Sequence, residues 1–266
     1  MSDSPVEVSV ADDVMTVTLN RPEARNAMDK QSWIDLVAAL ESVPQRQARA
    51  VVLTGAGGAF SAGGDLKSMH TEVLPGIYGR SQRLLLAHQA IRTIVQSRVP
   101  VVAAVDGPAA GVGWSMALAC DVVVASESAF FVAPFLDRGL VPDGGLGWLL
   151  TASVGRHRAL GMILSRQRIS AADAHAAGFV HRISPKGQAL EQALTIAREL
   201  AAGPTETIGL LKSLVCVALD SDFDGYLNAE RDSVLINRDS GNPAEGVAAW
   251  RESREPQFLS GYTLPD

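Results

Sequence analysis

The 266-residue chain holds only two cysteines and five histidines. Two cysteines exclude a disulfide scaffold, and neither belongs to a CxxC pair, so no structural zinc site or other metal site is expected. Basic residues are also in short supply: 23 Lys and Arg face 29 Asp and Glu, for a net charge of -6 and a pI near 5.4. The electrostatic footprint of a nucleic-acid binder is missing, and any anionic ligand must be met by a local cluster or by backbone donors. Long hydrophobic runs are lacking too. The uncharged stretch of the glycine-rich middle runs only from 107 to 120, between Asp106 and Asp121, too short to cross a bilayer. The opening MSDSPVEV has neither the positive n-region nor the apolar h-region of a signal peptide. No membrane partner is expected, and a reducing cytoplasmic setting is the default. Several catalytic signatures fail as well. There is no P-loop, no GxSxG elbow and no HExxH, and Gly55-Ala-Gly57 puts Phe60 where a dinucleotide fingerprint needs its third glycine.

What remains is an ordinary globular mix, 47% hydrophobic and 20% charged, with a mild excess of 24 glycines. A chain this long buries roughly three quarters of its unfolded surface. Residues 6–10 and 14–19 read as a β-hairpin around Ala11-Asp12-Asp13. Trp33, Leu36, Val37, Leu40 and Val43 recur at helical spacing over about 14 residues. Residues 50–54, 101–105 and 122–125 are short apolar runs of buried-strand type, and 129–133 is a further candidate strand. Helical patterns cover 84–95 and 111–119. From about Trp148 strand signals fade, apart from 180–183, and helices dominate: 157–164, 171–177, 188–202, 205–220, 223–237 and 244–253. Ser170 with Asp173 marks an N-cap. The order predicts an α/β core over residues 1–200 and a helical region over 201–266, with no low-complexity linker between them.

Two glycine segments stand out: Phe60-Ser-Ala-Gly-Gly-Asp-Leu66 and Asp106-Gly-Pro-Ala-Ala-Gly-Val-Gly-Trp-Ser115. Both follow buried strands and open into helices. Glycine lets backbone N–H groups approach a ligand closely, and a helix N-terminus adds unpaired N–H groups and a positive dipole end. Two such loops are able to aim two N–H groups at one oxygen, as an oxyanion hole does. The same segments also suit tight strand-to-helix turns in a packed core, and composition leaves both readings open.

The first segment resembles the FxAGxDL stretch of the enoyl-CoA hydratase/isomerase (crotonase) superfamily, and the resemblance extends along nearly the whole chain. Leu19-Asn-Arg-Pro-Glu-Ala-Arg-Asn-Ala27 is similar to the family's LNRPexxNA, and Val51-Val-Leu-Thr-Gly55 to the strand before the first loop. Residues 101–121 resemble the second loop with its GxxxGxG and closing Cys-Asp. Ile169-Ser-Ala-Ala-Asp-Ala174, Ala177-Gly-Phe-Val180, and Glu245-Gly-Val-Ala-Ala-Trp250 with Pro256-Gln-Phe258 resemble later family segments. The resemblance implies a spiral of ββα turns with a C-terminal helical trimerisation region, a homotrimer or dimer of trimers, and acyl-CoA thioester substrates. It implies no separate cofactor, coenzyme A being part of the substrate. By position it assigns the oxyanion donors to the N–H groups of Gly64 and Val112, the latter standing where the family commonly has glycine. Ala62, Gly63, Asp65 and Leu66 would line the adenine and pantetheine track, and Arg25 would meet a CoA phosphate.

The acids divide the family. Hydratases resembling its archetype carry a glutamate two residues after the last glycine of the second loop, here Ser115, and another after a proline ending the next strand, here Phe135. Neither residue type activates water or protonates carbon. One carboxylate stands nearby, Asp143 in Gly139-Leu-Val-Pro-Asp-Gly-Gly145. This segment resembles that of ring-epoxide and Δ3,Δ2 enoyl-CoA isomerases, whose aspartate shuttles the proton, and apolar neighbours Phe135 and Val141 are expected to raise its pKa. The expectation is therefore an isomerase acting through an enolate, the alternatives being an enoyl-CoA hydratase and a non-catalytic CoA-thioester binder. Asp143 alternatively caps a turn, Asp65 a helix, and Ser115 alternatively bonds a helix carbonyl rather than substrate. Asp121 reads as structural. Residues 67–80 are expected to form a lid over the acyl pocket. Trp250 and Phe258 suit either core packing or a neighbour's CoA pocket, and Arg251 and Arg254 replace the lysine the family often places there.

Overall fold

A computed structural model describes residues 4–71 and 77–258. The chain opens with the antiparallel hairpin β1 (Val6–Ala11) and β2 (Val14–Leu19). Asp12 and Asp13 both take positive φ, 52° and 59°, the left-handed pair that a two-residue hairpin turn requires and that aspartate tolerates. Helix α1 (Lys30–Glu41) follows, capped by Asp29, whose carboxylate accepts from the Ser32 N–H. It buries Trp33, Leu36, Val37 and Leu40, as their spacing predicts.

Next come β3 (Ala50–Gly55), α2 (Leu66–Thr71) and α3 (Ile77–Val95). The expected lid at 67–80 falls on these helices in part. The side chains of residues 69–80 and all of residues 72–76 lie outside the described residues. Then come β4 (Val101–Val105), β5 (Pro108–Ala110), α4 (Val112–Ala119), β6 (Val122–Ser126) and β7 (Phe130–Val132). The remainder is α5 (Leu146–Val154), α6 (Arg156–Ser165), β8 (Ile169–Ser170), α7 (Ala171–Ala176), β9 (Arg182–Ser184), α8 (Ala189–Ala201), α9 (Thr205–Asp220), α10 (Phe223–Asp239) and α11 (Asn242–Glu252). Ser170 caps α7 by accepting from the Asp173 N–H at 3.1 Å.

The large sheet has the order β1-β2-β3-β4-β6-β9 and is parallel from β2 onward. Strands β3 and β4 read as unbroken apolar runs because both their faces are covered. Val14, Val52, Val102, Ala104 and Val124 pack against α8 through Ala189, Ala193, Ile196 and Ala197. Val17, Leu53, Ala103 and Val105 face the larger core shared with α1, α3 and α4. A second sheet, β5-β7-β8, lies beyond. Two successive turns, β4-β5-α4 and β6-β7-α5, run a strand of the first sheet, a strand of the second and then a helix, within the expected spiral of ββα turns.

Three elements escape the sequence pattern. Strands β5 and β8 are too short for periodicity to register. Helix α5 starts directly after Gly144-Gly145, where glycines suggest only a loop. The C-terminal helices α9 and α10 bury no residue of their own, and Leu211, Val215 and Leu219 form an exposed apolar stripe at helical spacing on α9. Among the described residues no single helix is long and apolar enough to cross a membrane.

Candidate active site

The two glycine loops are zipped together. Ser61 and Ala109 form a parallel bridge, with Ser61 N–H donating to the Pro108 carbonyl at 3.1 Å and Ala110 N–H to the Ser61 carbonyl at 2.9 Å. Gly63 packs against Ala110 and Gly111, and the contact is tight: a Cβ on Gly63 would lie 2.6 Å from the Ala110 carbonyl oxygen, and φ there is 91°. Only glycine meets both conditions without strain.

A second bridge sets the direction of the Gly64 N–H. Met28 N–H donates to Gly63 O at 2.8 Å, and Asp65 N–H donates to Met28 O at 3.0 Å. In a parallel bridge of that form, made here between Met28 and Gly64, the bridged residue turns its own N–H away from the partner strand. Gly64 N–H is thus left facing outward. Val112 is the first residue of α4, so helical geometry gives its N–H no partner within the helix. The dipole end of α4 adds to its pull on an anion.

The segment Leu19–Ala27 explains itself as a buttress for the first loop. Buried Asn26 donates to the carbonyls of Ala56 and Ala59 at 2.9 and 2.7 Å and accepts from Arg21 N–H. Ser61 Oγ donates to the Asn26 carbonyl and accepts from Gly63 N–H. Arg21 ties the strap to the loop by ion pairs with Asp29 and Asp65, each at 3.1 Å. Asp65 caps α2, its Oδ1 accepting from Lys67 and Ser68 N–H. Burial opposes its charge, but the Arg21 hydrogen bond and those two amides outweigh it and hold the carboxyl below its usual value. The Asp65 carboxylate is therefore committed to cap and ion pair. Arg25, at positive φ, is exposed beside the loop, its carbonyl accepting from Ala62 N–H. Ala62 and Leu66 are also exposed, whereas Gly63 is buried between the loops.

Asp143 reaches this place through its neighbour. Gly144, at φ 60°, comes so close that a Cβ there would lie 2.5 Å from Val112 Cγ2 and 3.1 Å from Ser115 Cβ. The Asp143-Gly144 turn is therefore seated on the first turn of α4. Ser115 is fully buried, and its hydroxyl donates to the Asp143 main-chain carbonyl at 3.0 Å. The hydroxyl proton is thus engaged by the turn that carries Asp143. Phe135 is buried with its ring against Gly111. The Asp143 Oδ1 atom is buried without a hydrogen-bond partner. Burial pushes its carboxyl above the usual range, against the opposing charges of Arg83 and His88 and its own backbone bond. Val141 is not part of that burial, being 84% exposed; the chain turns outward at Pro142 and carries Val141 into solvent.

Two residues escape motif reading. Arg83 of α3 donates to the Met28 and Asp65 carbonyls and to Ser68 Oγ. Its Nη2 would lie 3.4 Å from a Cβ on Gly64. Arg21 is visible only as part of the Asn-Arg-Pro string. Asp121 is structural as read: Val101 N–H and Lys212 Nζ both donate to it, at 2.7 and 2.6 Å. Arg254 is engaged within the chain by Glu245 and Glu252, and its hydrogen bonds hold Glu245 down to about 2. Trp250 is 80% exposed.

Comparison with known proteins gives the family. The enoyl-CoA hydratase/isomerase family profile matches residues 10–261. The chain is 36% identical to the 1,2-epoxyphenylacetyl-CoA isomerase of Escherichia coli K12 over 249 residues, covering 92% of this chain and 94% of that one. It is 34% identical to the 2,3-dehydroadipyl-CoA hydratase of the same organism, over 96% and 98%. The crystal structure of an enoyl-CoA hydratase from Polaromonas sp. JS666 superposes with a TM-score of 0.91 at 34% identity, over 96% of this chain and 99% of that one. The fold is that of the crotonases, and the chain belongs to the enoyl-CoA hydratase/isomerase family.

Proposed function

We propose that the protein is an acyl-CoA isomerase that shifts a double bond, or rearranges a ring-epoxide thioester, through an enolate. The observation that carries this reading is Asp143. It is the one carboxylate among the described residues with a buried oxygen lacking a hydrogen-bond partner, and its turn is packed on the residue that supplies the second oxyanion N–H. Water addition needs a base for water and an acid for carbon. Ser115, committed to the Asp143 carbonyl, and Phe135 supply neither. A relative named 1,2-epoxyphenylacetyl-CoA isomerase supports the same direction.

In the double-bond shift, the thioester oxygen accepts from the N–H groups of Gly64 and Val112. Asp143 takes a proton from C2, and the electron pair moves onto the thioester oxygen as the enolate forms. The same carboxyl returns the proton at C4, the double bond becomes conjugated with the thioester, and no atom is gained or lost. The two N–H bonds strengthen as charge builds on oxygen, which is where catalysis gains; one such donor contributes about 2.7–4 kcal/mol. A carboxyl raised by burial is poised both to accept and to return a proton. The substrate class is an acyl-CoA thioester, with Arg25, Ala62 and Leu66 exposed along the first loop to receive its coenzyme A portion.

The test is spectrophotometric. Wild-type protein converts a 3-enoyl-CoA to the 2-enoyl-CoA with a gain of conjugated-thioester absorbance, and Asp143→Asn loses on the order of 10²–10⁴-fold in kcat. An Asp143→Asn protein of wild-type rate overturns the proton-shuttle assignment. Loss of absorbance from a 2-enoyl-CoA identifies a hydratase instead, and calorimetric binding without turnover of either substrate identifies a binder.

A further inference from the structure

We propose that Arg83 is a positioning residue that joins the two halves of this site, bracing the first glycine loop with its guanidinium while presenting its charge to the Asp143 turn. The inference rests on the isomerase reading above. Arg83 lies on α3, whose Ile91 approaches Gly145, so one helix touches both loops. On the loop side Nη1 donates to the Asp65 carbonyl at 3.1 Å and Ser68 Oγ at 2.9 Å, and Nη2 donates to the Met28 carbonyl. Those two carbonyls belong to the residues that flank and bridge Gly64. A planar fork with several donors reaches both acceptors at once, which an ammonium does not do in a fixed geometry. The Gly64 N–H direction is thus held by a side chain rather than by the loop alone.

On the other side, Arg83 and His88 of α3 are the charges that favour ionised Asp143. Helices α4 and α5 carry no ionisable side chain. In the turn before Asp143, Asp137 pairs with Arg166 and Arg138 donates to the Pro134 carbonyl. Arg83 therefore moderates the rise that burial imposes on Asp143.

The experiment compares wild type with Arg83→Met and Arg83→Lys. The readouts are kcat against pH on a 3-enoyl-CoA and ¹³C-carboxyl titration of labelled aspartate, with Asp143 assigned by Asp143→Asn. The expected result for Arg83→Met is an acidic limb and an Asp143 midpoint that both move up by about half a pH unit or more, with kcat down about tenfold or more. Arg83→Lys keeps the charge and so keeps the midpoint near wild type, but loses the double brace and recovers only part of kcat. A merely structural Arg83 lowers melting temperature and rate in both variants without moving the Asp143 midpoint, and that result overturns the proposal. The titration reads out without turnover. A wild type inactive on the 3-enoyl-CoA therefore counts against the isomerase reading alone, while an unmoved midpoint counts against Arg83 alone. Should Arg83→Met fail to fold, an Arg83→Lys protein with wild-type kcat overturns the brace by itself.

Discussion

Ser115 Oγ donates to the main-chain carbonyl of Asp143 at 3.0 Å, so the side chain at one position of α4 fixes the backbone of a residue in a distant loop. Ser115→Ala removes a hydrogen bond of about 0.5–1.5 kcal/mol and frees the Asp143 turn without touching substrate. The expected outcome is a several-fold fall in kcat with little change in KM and a small drop in melting temperature, measured by steady-state kinetics and thermal unfolding.

Asp143 is raised above its ordinary value of 3.8, which fixes two signs. For catalysis, the proposed base must be ionised, so the acidic limb of kcat/KM is expected above the usual carboxylate range and is expected to disappear in Asp143→Asn. For stability, a carboxyl whose folded value exceeds its unfolded value favours folding when protonated. That advantage is complete below 3.8 and is lost as pH rises through the folded value. Asp143→Asn, which does not titrate, is therefore expected to gain stability relative to wild type as pH rises from 3 to 7. Denaturant midpoints across that interval check it, and a constant difference between the two proteins contradicts the raised value.

Gly63→Ala meets a positive φ and a carbonyl oxygen 2.6 Å from the new Cβ. The backbone strain alone costs about 1–3 kcal/mol, and the loops must separate to relieve the contact. We expect a lowered urea midpoint and a loss of rate larger than the stability loss explains. Gly58→Ala is the control, since it has a positive φ but open space around its new Cβ.

Val112→Pro deletes the proposed second oxyanion donor at the first helical position, where proline is tolerated. The expected loss is about 10²–10³ in kcat, with the helical circular-dichroism signal preserved. Full activity in a folded variant removes Val112 from the hole.

The stripe of Leu211, Val215 and Leu219 on α9 is exposed in the single chain. We propose that further copies of the chain cover it, as a homotrimer or dimer of trimers. Sedimentation equilibrium is expected to give three or six times the 28.0 kDa chain mass, and Val215→Glu to lower it.

Much of this molecule is legible in the sequence. The apolar runs of β3 and β4 mark strands covered on both faces, the spacing of Trp33, Leu36, Val37 and Leu40 marks α1, and the ordered motifs mark the family. Residue type alone also removes Ser115 and Phe135 as acids. These are local properties, set by side-chain periodicity and chemistry along a few turns of chain. What only tertiary structure decided lies between segments. Ser61 pairing with Ala109 zips the two glycine loops together. Gly144 against Val112 brings Asp143 to the same place. The strap through Arg21 and Asn26 commits Asp65 to an ion pair and a cap. Arg83 carries no motif, one residue before the helical pattern becomes visible, yet it holds the loop that carries Gly64. Val141, apolar and next to Pro142, is placed in solvent by the turn. Hydrogen-bond register and close packing depend on where distant backbones meet, and no periodicity along one strand of sequence encodes that meeting.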